Sequence, residues 1–204
     1  MDHVVCREPR NRAVRAECKL RSVDSVLALA GIRVCPPAQN ILRTDGLGRP
    51  ELTTGYGQPA AVSFSWQEDT LWTALSLLCP RIGIDAALCA DFNVGYPFAK
   101  IFNACEWQAS SALLKAGSAH AASFLWSVKE ATVKMLGCGF NFVEPRRICV
   151  MISRSDGQLL HSCVEIPSGR WAGKVNVYSM EYQWGWVSLA LFDPGGSKSC
   201  HRFI

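Results

Sequence analysis

A glutamate and a lysine stand one helical turn apart in the segment WSVKEATVK, residues 126–134. At about 100° per residue, Trp126, Glu130 and Lys134 share one side of a predicted helix. The opposite side carries an apolar stripe sufficient for a core: Phe124, Val128, Ala131 and Met135. Two interpretations are open. A surface Glu–Lys pair stabilises a helix by only about 0.2–0.5 kcal/mol, whereas a carboxylate and a lysine beside a tryptophan suit an anionic ligand with its metal ion.

A second acid belongs to the segment RIGID, residues 81–85, which predicts a short strand that ends at Asp85. Magnesium takes one or two carboxylates and completes its shell from phosphate and water. Two acids on separate elements together with a lysine therefore favour Mg²⁺ plus phosphate. The candidate metal ligands are Asp85 and Glu130, and Lys134 is the candidate phosphate contact.

Periodic patterns predict the elements that carry these residues. Helices are predicted over 12–30 and 124–136, the second stopped by the glycines of GCG at 137–139, and residues 96–117 indicate a broken helix. Strands are predicted at 61–65, 71–78 and 81–85, and an antiparallel meander follows over 147–153, 159–166, 174–182 and 184–192. The segment 43–59 is rich in turn residues. The predicted class is α+β.

Composition narrows the class of protein. The chain has 204 residues, 49% of them hydrophobic and 19% charged, which is ordinary for a globular protein. No apolar run approaches the roughly 20 residues of a membrane span, and the N-terminus lacks the apolar region of a signal peptide. We therefore expect a cytosolic protein without a membrane partner. Its 10 cysteines show no metal-binding spacing and are expected to be reduced and mostly buried.

The excess positive charge is local. Residues 7–21, REPRNRAVRAECKLR, hold five arginines and a lysine against two glutamates. This segment favours an anionic partner, and a solvated helix face explains it equally well. No RNA- or DNA-binding motif accompanies it, so nucleic acid is not expected.

Two motifs together resemble a known family. IGID at 82–85 and WSVKEATVK at 126–134 look like the paired signature of the 4'-phosphopantetheinyl transferases, G-[IV]-D and then W-[ST]-x-K-E-[AS]-x-x-K. GRP (48–50), VSFSW (62–66) and FNACEW (102–107) also stand in the expected order. The chain length resembles the longer, surfactin-synthetase-activating type. The resemblance covers roughly residues 10–195.

The resemblance implies a fold in which two similar α+β halves form a pseudo-dimer within one chain, so that the protein is a monomer. The first half would be residues 1–80, on the nucleotide side and with an abbreviated N-terminus. The second would be residues 81–204, with the metal and catalytic motifs.

The resemblance also implies a reaction. Such enzymes transfer the 4'-phosphopantetheine arm of coenzyme A to a serine of an apo acyl or peptidyl carrier protein, with Mg²⁺, and release 3',5'-ADP. Asp85 and Glu130 would hold the metal ion, and Glu106, in the F-x-x-x-E pattern of FNACE, would take the proton from the serine. Lys134 and Lys129 would meet charge on the leaving phosphate.

Coenzyme A would be bound by residues from both halves: Arg15, Arg49, Ser65, Trp66 and Lys134. Two positions depart from the family pattern. Ala87 stands where many members carry a second acid two residues after the first, and Trp66 replaces a histidine that helps to hold the 3'-phosphate. These departures favour an alternative, a non-catalytic homologue that binds coenzyme A or a carrier protein as a regulatory module. The retained acids and Lys134 favour the enzyme.

Overall fold

The computed structural model describes residues 4–5, 12–31, 40–55, 57, 59–93, 95–115, 117–156, 158–166 and 172–192. Residues 7–11 of the basic segment lie outside this part. The helices are α1 (Arg12–Leu29), α2 (Phe98–Ile101), α3 (Ala104–Leu114) and α4 (Ser118–Leu136). The strands are β1 (Val4–Val5), β2 (Ile41–Thr44), β3 (Pro50–Thr53), β4 (Pro59–Gln67), β5 (Thr70–Ser76), β6 (Ile82–Leu88), β7 (Cys149–Asp156), β8 (Leu159–Ile166), β9 (Gly173–Tyr182) and β10 (Gly185–Leu191).

The strands form two antiparallel five-stranded sheets, in the orders β1-β5-β4-β3-β2 and β6-β10-β9-β8-β7. The predicted mixed α+β class is confirmed, and so is the meander after Pro145, since β7 to β10 pair consecutively. None of the helices in the described ranges is long and apolar enough to cross a membrane.

Three sequence-based boundaries were wrong. The turn-rich segment 43–59 contains a hairpin, in which β2 pairs with β3 around a turn where the Asp45 carboxylate accepts backbone N–H bonds from Leu47 and Arg49. Helix α4 begins at Ser118, ahead of the predicted start at 124. Strand β6 continues to Leu88, so Asp85 lies in the middle of the strand and not at its end.

The core of the second sheet is covered by α4. The predicted apolar stripe is confirmed, because Phe124, Val128, Ala131 and Met135 are all fully buried. A separate cluster lies between α1 and the first sheet, where Val23 and Leu27 pack against strand residues such as Leu71. Each sheet therefore has its own helix and its own apolar core.

The sheets meet where β4 runs along the free edge of β6. An edge strand presents backbone N–H groups that need acceptors. Ser63 Oγ accepts from the Ile84 N–H at 3.1 Å, and Ser65 Oγ accepts from the Ala86 N–H at 3.2 Å. The alternating serines of VSFS thus explain how β4 docks on β6.

Gly83 sets the distance between β6 and α4. A Cβ atom at this position would lie 2.0 Å from the Ala131 carbonyl oxygen and 2.5 Å from the Met135 nitrogen. Only glycine allows the strand to approach the helix this closely. The approach brings Asp85, two residues further along β6, beside the last turns of α4.

The cysteines agree with expectation in being free but not in their burial. The cysteines in the described ranges are all free, as predicted. However, only Cys79 and Cys138 are buried, Cys105 is exposed, and the others are half-buried. The expectation that most are buried was therefore wrong for this part of the chain.

Candidate active site

A pocket of about 530 Å³ opens where β4, β6 and α4 converge. It is lined by Phe64, Ser65, Trp66, Gln67, Asp85, Ala86, Ala87, Asp91, Phe92, Tyr96, Trp126, Glu130 and Lys134. Five of these were predicted as site residues from the sequence: Ser65, Trp66, Asp85, Glu130 and Lys134. The size is typical of pockets for small molecules and cofactors.

Lys134 does not form the surface pair with Glu130 that its spacing allows. Its Nζ donates to Asp85 Oδ1 at 2.7 Å and to the Ile84 carbonyl at 3.3 Å, across the gap to β6. Ser65 Oγ donates to the same Asp85 oxygen at 2.9 Å. Within the described ranges, no group donates a hydrogen bond to the Glu130 carboxylate. Glu130 therefore faces the pocket with its oxygens available.

Burial disfavours the charged form of both pocket carboxyls. Burial raises the pKa of Asp85, and the Lys134 ammonium and the Ser65 hydroxyl oppose that rise. Burial also raises the pKa of Glu130, the negative charge of Asp85 raises it further, and Lys134 opposes both effects. A cation bound by these two carboxyls would stabilise their charged forms.

The donor set fits magnesium. Asp85 and Glu130 provide hard oxygen ligands from two elements that Gly83 holds together, and Mg²⁺ needs no more than one or two carboxylates when phosphate and water complete its shell. No group of three or more His, Cys, Asp or Glu side chains suited to a metal occurs in the described ranges.

A cluster of positive charge lies beside the pocket. Lys19 of α1 places its Nζ 5.1 Å from the centre of the Phe64 ring, and Phe64 lines the pocket. Burial lowers the pKa of Lys19, and the charges of Arg15 and Lys134 lower it further. Because Arg15 and Lys134 both act on Lys19, an anion bound beside Lys19 would be stabilised.

Glu106 and Lys129 do not line the pocket. Lys129 is fully buried, and its Nζ donates to Glu106 Oε1 at 2.5 Å and to the carbonyls of Pro145 and Ile148 at 2.7 and 2.8 Å. Burial lowers the pKa of Lys129, and the Glu106 carboxylate opposes that change. The expectation that Lys129 meets the leaving phosphate conflicts with this placement, because every ammonium proton already has an acceptor inside the protein.

Both Glu106 oxygens are also occupied. Oε1 accepts from the Asn103 N–H at 2.9 Å, which closes a capping box at the start of α3, and Oε2 accepts from the Val150 N–H at 3.0 Å. Only 3% of the residue is exposed. The F-x-x-x-E pattern therefore places its glutamate at a junction of α3, α4 and β7, and this location does not favour the predicted role as a base.

Arg49 and Trp66 have different surroundings. The Arg49 guanidinium lies within 3.4 Å of Asp45 and 3.5 Å of Glu51, and its stem packs beside Gly137 at the end of α4, so it stands outside the pocket. Trp66 lines the pocket, and its buried Nε1 has no hydrogen-bond acceptor among the described groups. An indole N–H without an acceptor suits a ligand oxygen.

Sequence reasoning missed several pocket residues. Phe92 and Tyr96 were not predicted; with Trp126, which the sequence had placed beside Glu130 and Lys134, they form an aromatic wall whose ring centres lie 4.8 Å (Phe92–Tyr96) and 6.4 Å (Phe92–Trp126) apart. Asp91 and Gln67 also line the pocket and were not predicted. Lys19 was also missed, although its position one turn after Arg15 on α1 is a signal that could have found it.

Comparison with family models identifies the family of the chain. A family model described as the 4'-phosphopantetheinyl transferase superfamily matches residues 81–187, more than half of the chain. The matched range begins just before β6 and includes α4, so it contains Asp85, Glu130 and Lys134. None of the curated proteins matches the sequence.

Proposed function

The chain belongs to the 4'-phosphopantetheinyl transferase superfamily, and we propose that it transfers the phosphopantetheine arm of coenzyme A to a serine of an apo acyl or peptidyl carrier protein, with Mg²⁺, releasing 3',5'-ADP. Membership itself implies transferase activity with coenzyme A as the donor and a carrier protein as the acceptor. The metal, the residue roles and the assembly are proposals.

The observation that carries the proposal is the convergence of Asp85, Glu130 and Lys134 in one pocket. Two carboxyls with raised pKa values stand next to an ammonium group. Phosphoryl transfer requires little covalent chemistry from a protein and depends on positioning and charge neutralisation. This arrangement provides both.

Asp85 and Glu130 are the residues that would hold the magnesium ion, which when bound neutralises charge on the pyrophosphate of coenzyme A. Lys134 is held by Asp85 and the Ile84 carbonyl, so its ammonium is oriented before a ligand arrives. A fixed positive charge needs no reorganisation when the leaving phosphate gains charge. Ser65 donates to the same Asp85 oxygen and helps to fix the orientation of this carboxylate.

Glu130 is the best-placed proton acceptor for the carrier serine. Asp85 is tied to Lys134 and Ser65, whereas Glu130 receives no hydrogen bond from the described groups. With one oxygen on the metal ion, its second oxygen would still be available to accept the proton. We therefore assign the base to Glu130 and give Glu106 a structural role, contrary to the expectation from the F-x-x-x-E pattern.

Lys19 and Arg15 are proposed to bind a phosphate of coenzyme A. Their charges repel each other, and Lys134 adds to the repulsion, so an anion would be stabilised beside them. The Trp66 Nε1 could donate one further hydrogen bond to the same ligand. The Arg49 guanidinium forms ion pairs with Asp45 and Glu51, and these pairs do not favour its predicted role in nucleotide binding.

We further propose that residues 1–80 and 81–204 form an intramolecular pseudo-dimer and that the protein acts as a cytosolic monomer. Each half contains a five-stranded antiparallel sheet with a helix against it. The pocket takes Phe64, Ser65 and Trp66 from the first half and Asp85 and Glu130 from the second. The site therefore draws on both halves of a single chain. Light scattering at working concentration should give the mass of one chain.

The test is to incubate the protein with coenzyme A, Mg²⁺ and an apo carrier, and to measure the mass of the intact carrier. The enzyme adds one phosphopantetheine group, and a chelator prevents the addition. The alternative, a non-catalytic homologue favoured by Ala87 and Trp66, predicts binding of coenzyme A by calorimetry with no change in carrier mass. Neither binding nor transfer would contradict both functions.

A further inference from the structure

The pocket has two chemically different ends, and the directions of its walls fix their order. Strand β6 and helix α4 run in opposite directions, because Gly83 contacts the last turns of α4 and Cys89 contacts its first turns. Both Lys134 and Trp126 face the pocket from α4. They therefore mark its two ends, about 12 Å apart along the helix axis.

Cations gather at the Lys134 end. Lys134 is bound to Asp85 there. Burial lowers the pKa of Lys19, and the charges of Arg15 and Lys134 lower it further, so the three cations are neighbours. Lys19 also lies over the ring of Phe64. Strand β4 holds this ring level with Asp85, because the serines on either side of Phe64 accept the N–H groups on either side of Asp85. This end of the pocket suits phosphate groups.

The opposite end is aromatic and negatively charged. It holds the aromatic wall of Phe92, Tyr96 and Trp126. The Asp91 side chain also lines the pocket here, it is exposed, and no ion pair of Asp91 occurs within the described ranges. Burial raises the pKa of Tyr96, and the charge of Asp91 raises it further, so these two side chains are close together. A phosphate group placed at this end would be repelled by an unpaired carboxylate.

Coenzyme A, the donor in the proposed function, has the same asymmetry. Its nucleotide and pyrophosphate carry all of the charge, whereas the arm is neutral and begins with a dimethyl-substituted carbon, a hydroxyl group and an amide. In an extended chain these groups lie within about 8 Å of the nearer phosphorus, at about 1.2 Å per bond. Trp126 lies about 6 Å along α4 from Glu130, the proposed metal ligand. With the pyrophosphate at Glu130, the first groups of the arm therefore reach the aromatic wall.

We propose that the aromatic wall and Asp91 form the subsite for the first part of this arm and fix the direction in which coenzyme A binds. The rings pack against the dimethyl group, and the Asp91 carboxylate accepts a hydrogen bond from the hydroxyl group or the amide N–H. Binding energy from this unreactive part of the donor then positions the pyrophosphate for attack. The choice of ligand rests on the proposed function.

The test compares coenzyme A with an analogue in which a methyl group replaces the arm, so that the charge on the phosphates is unchanged. Calorimetry on the folded, full-length protein with Mg²⁺ gives a dissociation constant for each ligand. Each buried CH₂-sized group is worth about fourfold in affinity, so burial of the dimethyl-substituted carbon should favour coenzyme A by at least about 10-fold. Equal affinities would overturn the proposal.

Two variants assign this preference to the proposed residues. Tyr96→Ala should weaken binding of coenzyme A by at least about fourfold, and Asp91→Ala by about 2- to 10-fold, without weakening binding of the methyl analogue. Asp91 is exposed, so its variant should fold even if Tyr96→Ala does not. The matched control is Phe98→Ala, because the Phe98 ring lies 5.2 Å from that of Tyr96 but does not line the pocket. This control should leave the preference unchanged.

Two outcomes of these measurements contradict the subsite. Equal losses for both ligands in Tyr96→Ala would mean that the wall binds the adenine and not the arm. An unchanged preference in both Tyr96→Ala and Asp91→Ala would mean that the arm lies elsewhere. Either result would overturn the proposal.

Transfer assays separate this inference from the proposed function. If the protein transfers no arm but prefers coenzyme A to the methyl analogue, and the variants lose this preference, the subsite stands and the proposed function fails. If the protein transfers the arm but binds both ligands equally, the proposed function stands and the subsite fails.

Discussion

Replacing Glu106 by glutamine distinguishes a catalytic base from a structural ion pair. The carboxylate accepts from the Asn103 and Val150 N–H groups and from Lys129 Nζ, and it is 3% exposed. Glutamine has one oxygen, so its NH₂ group must face a donor in either orientation. It also leaves the fully buried Lys129 ammonium without a counter-charge.

The expected cost is large. Removing one partner of a buried ion pair typically costs 3–5 kcal/mol, because the other charge stays buried and unpaired. For a chain of this size, each 1 kcal/mol lowers Tm by about 2–4 °C, so Glu106→Gln should lower Tm by about 6–20 °C. Urea unfolding should show a lower midpoint with a similar slope. Below the new transition, the folded variant should keep most of its transfer rate.

A double variant controls for the interpretation. Lys129→Met removes the unpaired ammonium, so Glu106→Gln/Lys129→Met should be more stable than the sum of the two single losses predicts. The base hypothesis makes the opposite prediction: stability within about 1 kcal/mol of the native protein and transfer slowed by about 10²–10⁴-fold. That pair of results would refute the structural role.

Glu130→Gln should leave the Tm of the metal-free protein unchanged or slightly higher. It should also abolish the Mg²⁺-dependent rise in Tm and slow transfer by at least about 100-fold. A normal rise in Tm with Mg²⁺ would show that Glu130 is not a metal ligand. Because folding raises the pKa values of Asp85 and Glu130, the stability that these carboxyls contribute is present below their unfolded pKa of about 4 and is lost as pH rises through their folded pKa values. Deprotonation makes both carboxylates available to bind Mg²⁺, so the increase in Tm caused by Mg²⁺ should grow as pH rises through their folded pKa values. Thermal melts with and without Mg²⁺ at stepped pH will measure this increase. Lys19→Met keeps an apolar stem over Phe64 but removes the charge. Calorimetry should show weaker binding of coenzyme A and a smaller dependence of that binding on salt. Unchanged affinity would exclude Lys19 from the phosphate site. Trp66→His adds a second hydrogen-bond donor and a side chain that can carry positive charge. The preference for coenzyme A over its 3'-dephospho form, measured as the ratio of their kcat/KM values, should therefore rise. An unaltered ratio would show that other groups hold the 3'-phosphate.

Helical periodicity and motif spacing predicted much of the pocket. The apolar stripe of α4 fixes which side of the helix enters the core, and Glu130 and Lys134 then face away from that core. Gly83 was part of the recognised motif, but its physical reason appears only in the fold, where a side chain would collide with Ala131.

Long-range partners explain what could not be predicted. Lys129 lies next to Glu130 in the sequence, yet acceptors on Glu106, Pro145 and Ile148 stabilise it in the interior. A charged side chain is rarely buried unless such partners surround it, and the local sequence does not contain them. The same is true of Glu106, whose position in a motif does not indicate which side of a helix junction it faces.

The hairpin of β2 and β3 was not predicted from the sequence. Its segment contains several glycines and prolines, which normally mark loops. Pro50 is nevertheless the first residue of β3, a position where proline is tolerated in a strand. Pairing with β4 supplies the remaining stabilisation, and that contact is not visible in the local pattern.

A crystal structure with coenzyme A and Mn²⁺ in place of Mg²⁺ is the most direct test of the proposed site. The anomalous signal of manganese locates the ion independently of the protein atoms. We expect one peak bound by the carboxylates of Asp85 and Glu130, with the pyrophosphate of coenzyme A beside Lys134. Coenzyme A in another cavity, or a manganese ion bound by Glu106 after its pair with Lys129 has opened, would contradict the account.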